Sequence, residues 1–405
     1  MSHGAAAMAD AAFKDGLIGV DEDVLARASA LVPLLAKNAV QADRDRKVPQ
    51  ENLDALRDAG LWGLTRPHAR GGFQTNVRTT IECIAELARG CGSTAWVMMI
   101  STIEQMVMSF VPPRAQDEIY ALSADPKFCG TFAPTSTARR VDGGVILSGR
   151  WGWCSNSEHA DWAFMGLAIP DEDGNVLSYG QALMPMSECT IDPTWDSAGL
   201  CATGSHHLVA SEVFVPDHRI FDVTAAASGE RASCYPGTLY QSAFSATLSL
   251  MNASPIYGLA RGALESTLRS IPEKPVTFTN LPKARDAATS QIAVATAADK
   301  IATVHMHFAA TADMIDQAAA DGRELTMDEK ARARMSASTI AREGREAMEC
   351  LLDANGASVF VRSNPIQLAW RDVSVASRHG YFIPTTTTQM YGGQLLGGAQ
   401  IATLL

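Results

Sequence analysis

The hydrophobic periodicity of the chain changes twice, near Asp125 and again near Pro236, and this restricts the possible folds more than any other feature. Before Asp125, apolar residues recur every three or four positions, which is typical of amphipathic helices. Between the two points the apolar runs are short and are separated by turn sequences such as Asp171-Glu172-Asp173-Gly174, as expected for strands. Helical periodicity returns after Pro236. The order predicts an α+β protein.

Individual elements can be placed from this spacing. Helices are predicted at residues 21–42, 49–60, 77–89 and 94–110, strands at 128–132, 144–147, 162–168, 179–184 and 207–215, and further helices at 239–271, 284–320, 327–354, 364–378 and up to Leu395. Because no helix separates the strands, an antiparallel β-barrel or sandwich is expected. We therefore expect an N-terminal α-helical domain (1–124), a middle β domain (125–236) and a C-terminal helical bundle (237–405).

Charge and cysteine spacing exclude several classes of function. The chain has 33 basic and 44 acidic residues, hence a formal net charge of −11, so a nucleic-acid backbone would be repelled. The eight cysteines are scattered without a CxxC pair, which indicates reduced thiols and predicts no metal site. The N-terminal residues lack the basic region of a signal peptide, and a cytoplasmic location is therefore expected.

The most apolar run, residues 93–112, is long enough to cross a membrane. It contains Glu104 and Gln105 together with several hydroxyl residues, which disfavour a position in lipid. A helix buried in the protein core is therefore expected, and no membrane association. The sequence also lacks a phosphate-binding loop and the nucleophile elbow of hydrolases, so neither chemistry is predicted.

An unusual stretch forms the predicted end of the strand that starts at 144–147. Two tryptophans, Trp151 and Trp153, precede Cys154-Ser155-Asn156-Ser157, so indole rings stand beside a run of hydroxyl and amide side chains. Such a combination suits an aromatic cofactor, which needs a flat apolar face and hydrogen bonds along its edge. The alternative is that the tryptophans fill the core and the serines form a turn.

Several segments together resemble the acyl-CoA dehydrogenase superfamily. They are the helix–strand–helix order and residues 65–73, 149–156, 195–216 and 256–265. In particular, Trp153-Cys154-Ser155-Asn156 is similar to the Trp-Ile-Thr-Asn of that family, whose tryptophan packs beside the isoalloxazine ring and whose hydroxyl bonds flavin N5. The resemblance implies that Trp153, Ser155, Asn156 and Ser157 bind the cofactor. It also places Phe132 and Ala133 in the loop under the flavin pyrimidine ring.

The catalytic glutamate of the dehydrogenases has no counterpart in this chain. Following Arg371-Asp372, residues 377–381 read Ser-Arg-His-Gly-Tyr, and the alternative glutamate position, within residues 248–253, also has no acid. Instead, the sequence resembles the flavin-dependent monooxygenase branch, the oxygenase components of two-component aromatic hydroxylases. The motif from Ser148 to Trp162 and the Trp370-Arg371-Asp372 motif followed by His379 carry this resemblance.

This resemblance implies a reaction. Dissociable reduced FMN or FAD, supplied by an NAD(P)H-dependent flavin reductase, would react with O₂ to give a C4a-hydroperoxide that hydroxylates a small aromatic or heteroaromatic substrate. Ser155 would support the intermediate at N5, and His379 would deprotonate or orient the substrate. The alternative for His379 is a helix cap. The resemblance also implies a homotetramer, and Arg371 and Asp372 are expected to make structural contacts.

Glu104 is a departure from the family pattern. Related hydroxylases carry a histidine some eight residues after the tryptophan of a Ser-x-x-Trp-Val helix, and here Ser93 to Val97 match this motif whereas Glu104 occupies the histidine position. A glutamate in an apolar helix is costly unless it is paired or protonated. A pocket position would favour a substrate with an N–H or cationic group. The alternatives are a buried ion pair or an exposed helix edge.

Two other functions are compatible with parts of the sequence. One is an acyl-CoA dehydrogenase or desaturating oxidase with a displaced catalytic base. The other is a helical scaffold that has lost its flavin, although the intact run from Trp153 to Asn156 argues against it.

Overall fold

The computed structural model describes residues 19–230 and 233–398. The N-terminal stretch tested above for a targeting signal lies outside these ranges. The first described helices are α1 (Glu22–Asp45), α2 (Gln50–Asp58), α3 (Val77–Ala88), α4 (Gly92–Met108) and α5 (Pro113–Leu122). Side chains cap two of them, since Asp21 accepts from the first turn of α1 and Asn76 from that of α3. The helix α5 was not predicted from the sequence.

The middle of the chain forms two four-stranded sheets. Its strands are β1 (Phe128–Thr131), β2 (Ser136–Val141), β3 (Gly144–Cys154), β4 (Trp162–Pro170), β5 (Val176–Pro185), β6 (Thr190–Asp192), β7 (His206–Pro216) and β8 (Ile220–Asp222). The strand orders are β1-β4-β5-β8 and β2-β3-β7-β6. Apolar side chains of both sheets, including Leu147, Trp151 and Met165, share one buried core. Of the barrel or sandwich predicted from the sequence, the protein forms the sandwich.

The prediction that all strands run antiparallel is wrong for one pair. β1 lies parallel to β4, with Phe128 opposite Trp162, whereas the other ladders are antiparallel. Between β1 and β4 the chain crosses to the second sheet and forms β2 and β3 there, so it re-enters the first sheet in its original direction. Periodicity identifies strands but contains no information about which strand pairs with which.

Strand β3 extends past the short run expected at 144–147 and ends at Cys154, so it includes both tryptophans. Its pairing with β7 is irregular at two points: an extra residue lies in β7 opposite Leu147 to Gly149, and an extra residue lies in β3 between Trp151 and Cys154. The second irregularity changes the alternation of inward and outward side chains. This change determines which of the two tryptophans reaches the surface.

The chain then returns to helices. These are α6 (Val223–Ala227), α7 (Thr238–Gln241), α8 (Phe244–Ser270), α9 (Ala288–Ala320), α10 (Met327–Asn355), α11 (Pro365–Ala376) and α12 (Pro384–Leu395). The predicted helix at 239–271 is interrupted at Ser242 and Ala243, and α10 begins with a capping box between Thr326 and Glu329. Gly258 in α8 lets that helix approach α3 closely, since a Cβ atom there would lie 1.8 Å from the Ala85 carbonyl oxygen.

Arg371 and Asp372 connect α11 to distant parts of the chain. Arg371 binds both carboxylate oxygens of Asp43 in α1 and donates to the Ala198 carbonyl at 2.7 Å. Asp372 accepts from the Leu200 N–H at 2.6 Å, and burial raises the pKa of its carboxyl to about 7. These contacts agree with the structural role predicted for both residues, and they hold the loop before β7 in place.

Residues 93–112, the run that was tested as a membrane span, lie mostly in α4, and nearly every side chain of this helix is buried in the protein. Within the described ranges, no helix combines the length and hydropathy needed to cross a bilayer.

Candidate active site

The two tryptophans at the end of β3 occupy opposite environments. Trp151 is fully buried, and its indole N–H donates to the Gly166 carbonyl at 2.8 Å. Trp153 is 70% exposed and has a left-handed backbone with a φ of +63°. A non-glycine residue in this region indicates a local constraint that the fold imposes, and such constraints occur often at functional sites. The core-filling alternative therefore describes Trp151 but not Trp153.

Trp153 lines an open cleft of about 350 Å³. Its ring meets that of Trp195 edge to face at 5.2 Å, and Ser205 and His207 complete the nearby wall. Trp195 is held in place, because its indole donates to the Leu200 carbonyl at 3.0 Å and its own carbonyl accepts from Arg46 at 2.6 Å. The cleft thus presents an indole on fixed backbone beside a buried hydroxyl group.

Ser155 lies in a chain of hydroxyl groups behind this cleft. Its Oγ atom is 2.7 Å from Oγ of Ser205, which is 2.6 Å from Oγ1 of Thr203. Thr203 lies 2.9 Å from the Leu200 carbonyl oxygen, and the Trp96 indole N–H donates to Ser155 at 3.1 Å. Ser155, Thr203 and Ser205 are all buried. We call these three residues the hydroxyl relay.

The direction of the hydroxyl relay follows from its two ends. A carbonyl oxygen can only accept, so the single proton of Thr203 points to Leu200. Ser205 must then donate to Thr203, and Ser155 must donate to Ser205. The indole of Trp96 occupies one lone pair of Ser155. What remains on Ser155 is one acceptor site and no free proton.

Asn156 and Ser157 direct their side chains into the protein. Asn156 Nδ2 donates to the Phe128 carbonyl at 2.9 Å, and Ser157 Oγ donates to the Gly204 carbonyl at 2.5 Å. The Asn156 N–H also donates to the Thr203 carbonyl at 2.8 Å. Both residues therefore attach the end of β3 to β1 and to the turn before β7. This arrangement positions Ser155 beside Thr203.

His379 precedes the short 3-10 turn Gly380–Phe382. Its Nδ1 atom accepts from the Tyr381 N–H at 3.3 Å, so the ring caps the turn after it, where the sequence alternative had placed a cap on the helix before it. Burial, and to a smaller extent the charge of Arg334, lowers the pKa of His379 to about 4. A neutral ring whose Nδ1 accepts carries its proton on Nε2, and His379 is therefore a hydrogen-bond donor.

Trp96 in α4 joins the two candidate residues. Its indole N–H reaches Ser155, and its ring meets the His379 ring edge to face at 6.1 Å. His379 in turn stacks on Tyr381 at 5.4 Å. Trp96 was identified from the sequence only as part of a motif, and its role as the link was not predicted. The Ser-x-x-Trp-Val motif was the signal that could have identified it, whereas nothing in the sequence singled out Tyr381.

Glu104 lies on the same helix and is only 2% exposed. One carboxyl oxygen, Oε1, accepts from Gln181 Nε2 at 3.2 Å, whereas Oε2 has no hydrogen-bond partner in the structure. No cation pairs with it among the described residues, and burial raises the pKa of Glu104 well above its usual value. The residue is thus neither in an ion pair with a described residue nor at an exposed edge, and its surroundings favour the protonated carboxyl group.

Phe132 and Ala133 lie in the loop after β1. The Phe132 ring meets that of Phe244, at the start of α8, edge to face at 6.3 Å. The Ala133 backbone packs directly on Gly166, where a Cβ atom would lie 2.4 Å from the Ala133 carbonyl oxygen. Because Gly166 also accepts from Trp151, this loop is held close to Trp151.

The donor and acceptor set of the cleft fits a flavin. The exposed indole of Trp153 offers an apolar face, and Ser155, with one free acceptor site, lies directly behind Ser205, which lines the cleft. Within the parts of the chain that the structure describes, no cluster of His, Cys, Asp or Glu is placed to hold a metal ion. This site, set between a two-sheet sandwich and flanking helices, defines the class as a flavin-dependent oxidoreductase.

Comparisons with known proteins identify the family. The family model for the acyl-CoA dehydrogenase N-terminal domain matches residues 29–118, and that for the acyl-CoA dehydrogenase C-terminal domain matches residues 250–384. Together they cover more than half of the chain. The protein belongs to the acyl-CoA dehydrogenase superfamily and, within it, to the branch of flavin-dependent monooxygenases. The resemblance and the α+β fold class predicted from the sequence are both confirmed.

Full-length relatives define that branch. The chain is 29% identical over 386 residues to the flavin-dependent monooxygenase oxygenase subunit HsaA of Mycobacterium tuberculosis, covering 93% of this chain and 96% of the relative. It is 29% identical to the oxygenase component of FADH(2)-dependent resorcinol hydroxylase of Rhizobium, covering 92% and 94%. The structure of XiaF from Streptomyces, in complex with FADH2 and glycerol, superposes with a TM-score of 0.89 at 28% identity, covering 95% of this chain and 97% of that one.

Proposed function

We propose that this protein is the oxygenase component of a two-component flavin-dependent monooxygenase, and that it hydroxylates a small aromatic or heteroaromatic molecule. The observation that carries the proposal is the contact of Trp96 with both Ser155 and His379. It joins the residue matched to the flavin N5 partner with the histidine found where the dehydrogenases have a carboxylate. An aromatic substrate between them would lie beside the flavin.

Reduced FMN or FAD, when bound, supplies the electrons that activate O₂ for transfer of one oxygen atom to the substrate. The reduced ring carries a hydrogen on N5, whereas the oxidised ring has only a lone pair there. Ser155, with one free acceptor site and its own proton engaged by Ser205, suits the reduced form. Trp153 would pack beside the ring, and the backbone at Phe132 and Ala133 would contact its pyrimidine edge.

His379 acts on the substrate as a donor in this proposal. Its Nε2–H would hold a phenolic oxygen or an equivalent acceptor, so that the ring carbon next to it faces the flavin. The sequence left open whether His379 deprotonates or orients the substrate. We choose the orienting role because the Tyr381 N–H occupies Nδ1. A base would need a free lone pair, and the neutral ring has none left.

The partners belong to the same proposal. Relatives are named as oxygenase components or subunits, which supports a separate NAD(P)H-dependent reductase that supplies the flavin. We also propose a homotetramer, as the family resemblance implies, and a cytoplasmic location, as the N-terminal sequence implies.

A reconstituted assay tests the function. The purified protein is combined with a generic NADH-dependent flavin reductase, FMN or FAD, and a panel of phenols and indoles, and products are detected by a mass gain of one oxygen atom. Product is expected only when protein, reductase, NADH, flavin and O₂ are all present. Anaerobic reduction of the bound flavin by an acyl-CoA would instead indicate a dehydrogenase, and failure to bind reduced flavin would indicate a scaffold.

The raised pKa of Glu104 leads to a stability prediction. Glu104→Gln preserves the shape of the side chain and removes the ionisable group, so the melting temperature at pH 7 to 8 is expected to stay the same or rise. A raised pKa means that the folded state retains a proton which the unfolded state loses above about pH 4.3. The contribution of Glu104 to stability therefore falls as the pH rises, and that of glutamine does not. Thermal unfolding across pH measures the difference.

Gly130→Ala is the companion variant, because a Cβ atom there would lie 2.0 Å from Glu104 Oε1. It is expected to lower the melting temperature by displacing the carboxyl group. A strongly destabilised Glu104→Gln variant at pH 8 would show instead that Glu104 is ionised and paired.

A further inference from the structure

Arg334 in α10 is a cation without an anionic partner near the candidate active site. Its guanidinium carbon lies 4.0 Å from the centre of the Tyr381 ring. The Nε and Nη1 atoms are shielded from solvent and make no hydrogen bond in the structure. Tyr381 stacks on His379, so one aromatic ring separates this charge from the residue proposed to hold the substrate.

An unpaired arginine in such a place differs from other buried ionisable groups. A buried glutamate or lysine can become neutral, but a guanidinium keeps its charge at every physiological pH. Nε and Nη1 of Arg334 are removed from water without an anion, which is unfavourable. The face of Tyr381 offsets only part of this cost, since a cation–π contact does not satisfy the N–H donors.

Other arginines in the protein show the usual solution. Arg371 binds Asp43 and Arg323 binds Glu329, and in both cases the carboxylate raises the pKa of the guanidinium. The pKa of Arg334 is instead lowered by burial, and no carboxylate of the described residues opposes that shift. The chain as described thus provides the cation and leaves its counter-ion to another molecule.

We propose that Arg334 binds a carboxylate on the substrate, which makes the substrate an aromatic or heteroaromatic acid. This rests on the proposed function, since it assumes that the ring to be hydroxylated lies at His379. Arg334 is then a specificity-determining residue. The planar guanidinium can hold a carboxylate through two parallel N–H donors, either Nε with Nη2 or the two Nη nitrogens, and the unpartnered Nε and Nη1 each belong to one of these pairs.

The face of α10 that carries Arg334 also fixes the turn beside it. Ser338, one turn further along, donates to the Phe382 carbonyl at 3.3 Å, and Arg345 donates to Ser377 at 3.3 Å. These contacts hold the segment with His379 and Tyr381 against the helix independently of Arg334. Replacement of Arg334 therefore leaves two attachments in place.

Matched acids and amides provide the test. Binding of 4-hydroxyphenylacetate and 4-hydroxyphenylacetamide, and of indole-3-acetate and indole-3-acetamide, is measured by anaerobic titration calorimetry of the protein loaded with reduced flavin. The wild type is expected to bind at least one acid about 10- to 100-fold more tightly than its amide. Arg334→Met should bring that ratio to about one, and Arg334→Lys should retain part of it. Arg332→Met, an exposed neighbour on the same helix, should retain all of it.

The outcomes separate this inference from the proposed function. Equal binding of acid and amide by the wild type would overturn the inference, while hydroxylation of the amides would leave the proposed function intact. A weaker affinity of Arg334→Met for reduced flavin itself, with an unchanged acid-to-amide ratio, would assign the charge to the flavin anion and also overturn it. If Arg334→Met does not fold, the acid-to-amide binding ratios of the wild type and of Arg334→Lys still test the inference.

Discussion

Replacement of His379 by alanine is expected to lower the rate of product formation by about 100-fold or more, while the affinity for reduced flavin changes little. The imidazole is close to Trp96 and Tyr381, and its Nε2–H is the donor proposed to orient the substrate. Without it the substrate is no longer held in one reactive geometry, and O₂ consumption should continue with release of hydrogen peroxide. Product, peroxide and O₂ are measured in the same reconstituted reaction.

Two further measurements distinguish whether His379 acts as a hydrogen-bond donor or as a base. His379→Gln keeps an N–H donor and cannot act as a base, so it is expected to recover part of the lost rate. Because the pKa of His379 is lowered to about 4, the ring stays neutral from about pH 5.5 upwards, and the wild-type rate should show no step near pH 6.5. No recovery in the glutamine variant together with a loss of rate below pH 6.5 would identify His379 as a base with an ordinary pKa.

Removal of the Ser155 hydroxyl is expected to have the second large effect. Ser155→Ala deletes the acceptor proposed for the N5 hydrogen. Loss of one buried hydrogen bond changes a rate or binding constant by about 10-fold or more. The ratio of hydrogen peroxide to product should rise by that factor, and reduced flavin should bind more weakly, while oxidised flavin should be affected less. An unchanged ratio with unchanged flavin affinity would contradict the assignment of Ser155 to N5.

The hydroxyl relay makes this prediction more specific. Thr203→Val preserves shape but removes the group that accepts from Ser205, so the protons of Ser205 and Ser155 are no longer held in one direction. The preference for reduced over oxidised flavin should fall, although Ser155 itself is present. Binding constants for both redox states measure this preference. Ser148→Ala, whose hydroxyl bonds Glu212 on the exposed side of β3, is the control and should retain it.

The sequence was sufficient for the family and for much of the architecture. The long amphipathic helices and the Trp153 to Asn156 motif are local patterns, and local patterns are visible in one dimension. Ser155 and His379, more than 200 residues apart, could be paired only through the family resemblance. The sequence did not show whether two paired strands run parallel or antiparallel. The parallel β1–β4 ladder depends on where the chain goes between the two strands.

The site residues divide in the same way. The sequence by itself determined which chemical groups are present: the two indoles, the serine, the histidine and an acid in place of the family histidine. Only the tertiary structure decided their states, since it buried Trp151 and exposed Trp153, engaged the proton of Ser155 with Ser205, raised the pKa of Glu104 and left Arg334 without an anionic partner among the described residues. The reason is physical: hydrogen-bond direction, pKa and charge pairing depend on distance and burial among residues far apart in the chain.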